Sequence, residues 1–386
     1  MCSLGDSCGC DCSCFDGNFS FIKIMNLASV SENRNFEKRI SLTPDIAKKY
    51  LDLGFNLSLP TNYGAHLGFK DSDYKVHGVN ILNDEKEIVS KADILVQLSL
   101  PDDHKLSLLK ENQTLIGTLN FLSNQEKLES LKKKKINCFS LEMLPRITRA
   151  QSMDILSSQA NLAGYKAVIE AFQVYEKAIP MMMTAAGTVP AAKVLVVGAG
   201  VAGLQAIATA KRMGAIVFAT DVRMASKEQV ESLGGKFLSV EGSENLETEG
   251  GYAKEASEDF KKKQEELLSE TLKKIDIIIC TALIPGKEAP KIIKSEMFDN
   301  LQPGSVIYDL AAVQGGNTVY TEVDKVIEKN EIKILGETNI LNKLPISASN
   351  LYAKNVFNFI SNLYDKENKK LDINLKDEII EKTLIK

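Results

Sequence analysis

The segment from Lys193 to Asp221 limits what this chain can fold into more than any other. An apolar run, K-V-L-V-V, leads into G-A-G-V-A-G, a helix-like stretch then ends at Gly214, and a second apolar run precedes Asp221. Strand, glycine turn, helix and strand in this order, with an acid about 20 residues on, is the context that a dinucleotide-binding fingerprint requires. The segment therefore predicts a Rossmann-type α/β domain.

The glycines of this turn have separate expected roles. Gly198 permits the tight turn, Gly200 lets the backbone approach a pyrophosphate, and Gly203 lets the helix pack close to the strand. The first turn of the helix adds Val201 and Ala202, whose backbone lies at the positive end of the helix. We expect these five residues to bind the pyrophosphate.

The acid at the end of the second strand predicts which dinucleotide binds. Asp221 should accept hydrogen bonds from the adenosine ribose, and its charge should repel a 2′-phosphate, which favours NAD(H) over NADP(H). Val222 and Arg223 follow it and complete the expected ribose site. Because Arg223 carries a positive charge, it keeps the NADP(H) alternative open.

Two further apolar runs predict the nicotinamide side. Residues 275–286 and 304–317 each lead into a loop that contains glycine. Ligands of an open parallel sheet lie at the carboxyl ends of the strands. Ala282, Leu283 and Asp309 are therefore candidates to line the nicotinamide side of the site.

A loop between these strands is a candidate lid. Residues 241–252, E-G-S-E-N-L-E-T-E-G-G-Y, are acidic and rich in glycine. Such a loop can fold over a bound nucleotide, with Gly251 and Tyr252 at its tip. The alternative is a plain surface loop. The charged stretch that follows, 254–274, is expected to be an exposed helix.

The first half of the chain alternates short apolar runs with charged, helix-like stretches, which predicts a second α/β unit. The predicted strands are residues 57–60, 93–98, 114–119 and 136–141, and residues 43–54 form a helix with Thr43 as its N-cap. A longer helix starts at Ser157 or Ser158 and should bury, at helical spacing, Leu162, Tyr165, Val168, Phe172 and Tyr175. Three consecutive methionines, 181–183, are expected to pack in the interior.

Composition excludes several classes of protein. The chain has 386 residues, 44% of them hydrophobic, and a net charge of -4, which is unlike a nucleic-acid-binding protein. It contains no apolar run near the 18 residues that suggest a membrane span. Five of the seven cysteines lie within the first 14 residues. We interpret residues 1–24 as a disordered leader, with Met25 as a candidate true start, and keep a metal site as the alternative.

A polar stretch, P-R-I-T-R-A-Q-S-M-D-I-L-S-S-Q (145–159), contains no histidine, lysine or cysteine. Together with the fingerprint and the strings E-S-L-G-G-K-F, G-G-Y-A-K-E and T-A-L-I-P-G-K, it resembles the NAD(H)-binding alpha subunit of proton-translocating NAD(P)+ transhydrogenases. The resemblance extends from about Met25 to the C-terminal helix. Two departures are the cysteine-rich leader and Ala256, where the family often has methionine.

The resemblance implies an α/β fold of two Rossmann-like, doubly wound parallel-sheet domains with a cleft between them. Residues 25–160 and 328–386 would form the first domain, and residues 161–327 the NAD(H)-binding domain. It also implies a homodimer whose partner subunits span the membrane and hold NADP(H), so that the chain lies on the cytoplasmic face of the inner membrane. Because the sequence stops at Lys386 without membrane helices, it resembles the split-subunit form.

The resemblance also gives the polar stretch a role. By position, Arg146, Gln151, Asp154 and Ser157 match the functional residues of the family's loop beside the nicotinamide. Arg146 and Asp154 can form an ion pair that orients the loop. Direct hydride transfer from NADH to NADP+, coupled to proton translocation (EC 7.1.1.1), moves no proton at the reacting carbon. It needs positioning more than a general base.

Two other functions are compatible with a chain of this type. Alanine dehydrogenase shares the fold but needs a base and charged groups for its amino-acid substrate. Where that enzyme has a lysine, a histidine and an acid, this chain has Gln97, Asn120 and Val313. The three histidines (His66, His77 and His104) lie away from that motif. The third function, a non-catalytic NAD-sensing module, is disfavoured by the complete set of loop residues.

Overall fold

The computed structural model describes residues 24–240, 258–284 and 286–385, with the side chains of the last internal helix described from residue 262. Predictions for the cysteine-rich leader, for Gly251 and Tyr252 and for Ala256 lie outside these residues. Within the described ranges, no helix combines the length and the apolar character needed to cross a bilayer.

The first half of the chain forms a six-stranded, fully parallel sheet in the order β3-β2-β1-β4-β5-β6. Its strands are β1 (Asn26–Ala28), β2 (Asn56–Pro60), β3 (Asn80–Leu82), β4 (Ile94–Ser99), β5 (Thr114–Thr118) and β6 (Asn137–Ser140). Its helices are α1 (Pro44–Asp52), α2 (Asp71–Lys75), α3 (Glu85–Lys91), α4 (Asp103–Ser107) and α5 (Gln125–Lys133). The strand order reverses between β1 and β4, as in a doubly wound fold.

A long helix, α6 (Ile155–Val174), and a short hairpin, β7 (Met182–Thr184) and β8 (Gly187–Val189), lead to the second sheet. That sheet has seven strands in the order β11-β10-β9-β12-β13-β15-β14, of which only β14 is antiparallel to its neighbour. The strands are β9 (Lys193–Val197), β10 (Ile216–Thr220), β11 (Lys236–Phe237), β12 (Ile277–Cys280), β13 (Val306–Asp309), β14 (Val326–Lys329) and β15 (Ile332–Leu335). Helices α7 (Val201–Arg212), α8 (Ser226–Ser232) and α9 (Glu258–Leu272) connect them.

The chain then returns to the first sheet. Helix α10 (Pro345–Leu363) packs Tyr352, Val356 and Phe359 into the core of that sheet, and the segment ends in β16 (Tyr364–Asp365), β17 (Lys370–Leu371) and α11 (Glu378–Thr383). The expected return at residue 328 falls inside β14, and β15 extends the second sheet to Leu335. Strand pairing therefore assigns residues 326–335 to the second sheet. The predicted fold class, two parallel-sheet α/β units, is confirmed.

Two local predictions about helices needed correction. Helix α6 begins at Ile155, because the carboxylate of Asp154 accepts a hydrogen bond from the Ser157 amide and caps the helix. The expected start at Ser157 or Ser158 was therefore two to three residues late. Tyr165 is 43% exposed although it was expected in the core, whereas Val168 and Phe172 are buried as predicted.

The methionine prediction was wrong. Met181, Met182 and Met183 are 62%, 43% and 81% exposed and lie on the hairpin of β7 and β8. An antiparallel ribbon with both faces open has no interior to pack against. Apolar composition alone therefore misled the prediction at this position.

Candidate nucleotide-binding site

The glycine turn has the geometry that the fingerprint predicts. Gly198 has φ +92°, and a Cβ there would lie 2.9 Å from the Thr281 Oγ1. A Cβ on Gly203 would lie 1.9 Å from the Gly198 carbonyl oxygen, so any side chain would push α7 away from the turn. At Gly200, the N-cap of α7, the nearest atom to a Cβ is the Arg223 Nη2 at 4.0 Å. That open position in front of a helix N-terminus suits a pyrophosphate.

Asp221 lies directly after β10 and faces the same turn. One carboxylate oxygen accepts from the Ala199 amide at 2.7 Å, and the other accepts from the Arg223 amide at 2.8 Å. The Arg223 guanidinium also donates to both oxygens, through Nε at 2.9 Å and Nη2 at 2.8 Å. Burial alone would raise the pKa of Asp221, but these hydrogen bonds outweigh burial and lower it.

This pairing bears on the open question about Arg223. Its guanidinium is held against the carboxylate of Asp221, and only 18% of its side chain is exposed. The positive charge is therefore largely compensated by Asp221. The pair presents a carboxylate at the ribose position, together with a guanidinium whose donors already have a partner.

The loop after β12, on the expected nicotinamide side, is held by a residue that the sequence reasoning missed. The Ala282 amide donates to the Asn317 Oδ1 at 3.0 Å, and the Asn317 Nδ2 donates to the Ala282 carbonyl at 2.8 Å and the Pro290 carbonyl at 3.0 Å. Asn317 is fully buried, whereas Leu283 is 42% exposed. The only available signal was an amide directly after the G-G of a strand-end loop.

Asp309 does not face open space as expected. It is fully buried at the end of β13, where its carboxylate accepts from the amides of Ala311 and Asn317 and from the Thr321 hydroxyl at 2.5 Å. Burial outweighs these hydrogen bonds and raises the pKa of the Asp309 carboxyl. Its role is to fix the loop that carries Asn317.

The polar stretch forms an exposed loop at the start of α6. Ala150 and Met153 are buried beneath it, while Arg146 and Gln151 are exposed. The carboxylate of Asp154 accepts from the Ser157 amide at 2.9 Å and from the Ser157 hydroxyl at 2.5 Å. Two of the predicted residues are therefore in contact. The predicted ion pair between Arg146 and Asp154 stays a prediction.

Helix α6 connects this loop to the glycine turn. A Cβ on Gly164 would lie 2.0 Å from the Ala202 carbonyl oxygen, so α6 touches the first turn of α7. Gly164 is nine residues beyond Ile155, which at 1.5 Å per residue places the loop about 14 Å along the helix from this contact. One rigid helix thus sets the spacing between the two parts of the site.

The carboxyl edges of the two sheets also meet. Leu122 follows β5, and its Cδ1 would lie 2.8 Å from a Cβ on Gly286, which follows β12. Residues from both sheets therefore border the same region, as the expected cleft between two domains requires. Over the described part of the chain, His, Cys, Asp and Glu do not gather in a group of three that could hold a metal ion.

The position where an alanine dehydrogenase has lysine is closed in this chain. Gln97 is 1% exposed, and its Oε1 accepts from the Val30 amide and the Ser29 hydroxyl, both at 2.9 Å. Its Nε2 donates to the Val30 carbonyl and the Glu32 carboxylate, both at 3.2 Å. The side-chain amide is thus fully used by its neighbours. Asn120 and Val313, by contrast, are exposed.

Comparisons with known proteins decide the family. The sequence profile described as "Alanine dehydrogenase/PNT, N-terminal domain" matches residues 29–163, and "Alanine dehydrogenase/PNT, C-terminal domain" matches residues 167–386. The chain belongs to the alanine dehydrogenase/PNT family.

Within this family, the chain is similar to the first of the separate polypeptides that make up the NAD(P) transhydrogenase alpha subunit in two bacteria. It is 47% identical to that of Rhodospirillum rubrum over 368 residues, covering 94% of this chain and 96% of that protein. It is 43% identical to that of Rickettsia prowazekii over 366 residues, covering 94% of both. A transhydrogenase structure from Sinorhizobium meliloti is also similar, with a TM-score of 0.84, 41% identity and coverage of 93% of this chain and 97% of that chain. These findings confirm the resemblance that the sequence motifs indicated.

Proposed function

We propose that this chain is the NAD(H)-binding catalytic component of a proton-translocating NAD(P)+ transhydrogenase. In this reaction a hydride passes directly from NADH to NADP+ held on a partner subunit, and proton translocation across the membrane is coupled to it (EC 7.1.1.1). The observation that carries the proposal is the exposed loop of Arg146, Gln151, Asp154 and Ser157. It is joined by α6 to a dinucleotide turn and contains no proton-transfer base.

The residues of the second sheet fit NAD(H). The open position at Gly200 and the N-terminus of α7 would hold the pyrophosphate, with Gly198, Val201, Ala202 and Gly203 around it. Asp221 would accept the hydroxyls of the adenosine ribose beside Val222 and Arg223. The charge of Asp221 favours NAD(H) over NADP(H), because a 2′-phosphate would lie against a carboxylate.

The nicotinamide would lie between the two sheets. Ala282 and Leu283 would contact it from one side, and the loop at the start of α6 from the other. When bound, the cofactor supplies the hydride. Ser157 and Arg146 are suited to hold the carboxamide, while Gln151 can hydrogen-bond to the nucleotide and reach towards the partner's NADP(H). We also keep Gly251 and Tyr252 as proposed lid residues.

The chemistry asks these residues for alignment. Hydride transfer between two nicotinamides releases no proton at the reacting carbon, so a general base has nothing to remove. Holding the reacting atoms at the right distance and angle can account for much of the rate. The contacts of Asp154 with the Ser157 amide and hydroxyl support this interpretation, because they order the first turn of α6.

We further propose that the chain forms a homodimer and works with membrane-spanning subunits, one of which provides the NADP(H)-binding component. Exposed apolar side chains mark protein interaction surfaces. The hairpin of β7 and β8 exposes Met181, Met182 and Met183 together, which supports an association through this hairpin. The chain would then lie on the cytoplasmic face of the inner membrane through its partner subunits.

An alanine dehydrogenase activity is the alternative that this family raises. It would need a charged group or base where this chain has Gln97, Asn120 and Val313. The closed hydrogen-bond network of Gln97 speaks against a substrate at that position.

The test mixes the purified chain with a soluble NADP(H)-binding component of a transhydrogenase. NADPH and an NAD+ analogue with a distinct absorbance in its reduced form are added, and hydride exchange is followed. We expect turnover that requires both proteins and falls about 100-fold in Gln151→Asn, since small misplacements of reacting groups can cost that much. Alanine-dependent reduction of NAD+ without transhydrogenation would contradict the proposal.

A further inference from the structure

The loop that carries Gln151 is fastened from behind by helix α10. The carbonyl oxygen of Ser152 accepts two hydrogen bonds, one from the Asn355 Nδ2 and one from the Asn358 Nδ2, both at 2.9 Å. Because these asparagines are three residues apart on one helix, their side chains share a face. Two donors from a rigid helix therefore meet on a single carbonyl next to Gln151.

Asn355 also joins the loop to the start of α6. Its Oδ1 accepts from the Ser158 hydroxyl at 2.6 Å, while its Nδ2 donates to Ser152. Asn355 is 9% exposed, so water does not readily replace these partners. The position requires one acceptor and one donor on the same short side chain, and an amide supplies both.

The rest of the loop is held in the same way. The Arg149 guanidinium donates to both carboxylate oxygens of Asp377, which also accepts from the Ile379 amide at 2.9 Å and caps α11. Arg149 is half-exposed, so this ion pair contributes little by itself. Because Ala150 and Met153 are buried below the loop, Gln151 and Ser152 remain exposed at its surface.

We propose that Asn355 and Asn358 are positioning residues for hydride transfer. By fixing the Ser152 carbonyl they fix the backbone beside Gln151, and thereby the direction in which the Gln151 side chain points. The inference rests on the proposed function, because it assigns to the C-terminal segment the alignment of that loop. Neither asparagine needs to touch the cofactor, and nucleotide affinity resides mainly in the second sheet.

The two asparagines share one acceptor, which makes their effects interdependent. Either residue alone still holds the carbonyl, so Asn355→Ala or Asn358→Ala should lower the hydride-transfer rate by only about two- to fivefold. With both removed, the loop is free to shift, and displacements near 1 Å can cost about 100-fold in rate. The double variant should therefore lose more than the product of the single effects.

The experiment measures hydride transfer with the soluble NADP(H)-binding component, NADH affinity by fluorescence, and thermal unfolding for each variant. Asn350→Ala is the matched control, since Asn350 is an exposed asparagine on the same helix. Asn358→Gln keeps an amide donor at the less buried position and should restore most of the rate. NADH affinity should stay within about twofold of the starting protein throughout.

Each outcome decides a different point. A double variant with an unchanged hydride-transfer rate would overturn the inference. A double variant that loses rate, NADH affinity and melting temperature together, without rescue by Asn358→Gln, would also overturn it and leave a purely structural role. Absence of hydride transfer in the unmodified chain would instead refute the proposed function on which the inference rests.

Discussion

The side chain of Asn317 pairs with both backbone polar groups of Ala282, donating to its carbonyl at 2.8 Å and accepting from its amide at 3.0 Å. A third hydrogen bond reaches the Pro290 carbonyl. Asn317 is in turn fixed through its own amide, which donates to the carboxylate of Asp309 at 2.7 Å. The loop after β12 thus depends on one buried amide that is 35 residues away in sequence.

Asn317→Ala should weaken both the fold and nucleotide binding. The change leaves the Ala282 amide and two carbonyls without their partner, and each buried polar group left unpaired costs about 1–3 kcal/mol. We expect a loss of about 2–4 kcal/mol in the free energy of unfolding, because some groups will find water. NADH affinity should fall as well, since Ala282 and Leu283 are proposed to contact the nicotinamide.

Urea unfolding and NADH fluorescence titration measure the two effects. Asn300→Ala is the comparison, because Asn300 donates one side-chain hydrogen bond, to the Ser269 hydroxyl, and should cost less. Asn317→Asp should be worse than Asn317→Ala, because a carboxylate oxygen would face the carbonyls of Ala282 and Pro290. Unchanged affinity in both Asn317 variants would contradict a role of this loop in nucleotide binding.

Gly164→Ala tests the spacing set by α6. A Cβ at this position would lie 2.0 Å from the Ala202 carbonyl oxygen, so α6 and α7 must move apart. Overpacking of this kind costs about 1–3 kcal/mol of unfolding free energy. The same shift displaces the first turn of α7, so NADH affinity should also fall.

The same two measurements apply to Gly164→Ala, and Gln173→Ala, at an exposed position of the same helix, is its control. If Gly164→Ala unfolds at the same urea concentration as the unmodified chain, then α6 and α7 adjust without cost. The spacing argument would then be wrong.

Much of the fold could be predicted because its signals are local. The strands predicted at residues 57–60 and 93–98 agree within one residue with β2 and β4, since each is an apolar run between charged stretches. The glycine turn was predicted for the same reason. The exposed hairpin of β7 and β8 was missed, because strands without a buried face leave no alternating pattern.

The supporting contacts of the site could not be predicted. Asn355 and Asn358 bond to Ser152 across 203 and 206 residues of sequence, and no local pattern indicates which helix will lie behind the loop. The start of α6 was predicted late, because Ser157 and Asp154 are both good N-cap residues. Only the geometry shows that Asp154 is the cap and that Ser157 is its partner.

The exposed methionines give a prediction about association. Replacing Met181, Met182 and Met183 with serine removes the apolar surface of the hairpin while leaving its strand pairing intact. If the hairpin forms the homodimer contact, the triple variant should sediment as a monomer at concentrations where the unmodified chain is a dimer. Val76→Ser, at a position that is 76% exposed, should leave the sedimentation unchanged. A triple variant that remains dimeric would show that the contact lies elsewhere.

The pairing of Asp221 with Arg223 gives a prediction about pH. Because the pKa of Asp221 is lowered in the folded chain, its ionised carboxylate stabilises the fold at every pH above its ordinary value of 3.8. That contribution disappears as the pH falls through the lowered pKa. Asp221→Asn should therefore be less stable than the unmodified chain at pH 7, by about 1–3 kcal/mol for a buried charge-assisted pair.

The difference between the two proteins should then depend on pH in one direction only. It should stay constant from pH 7 to about pH 5 and shrink at lower pH, because only the unmodified chain must protonate this group on unfolding. Urea unfolding at a series of pH values, down to the lowest at which both proteins remain folded, measures this difference. A gap that widens on acidification would mean that Arg223 does not stabilise the ionised form of Asp221, and the assignment of Asp221 as a pre-ionised ribose acceptor would lose its physical basis.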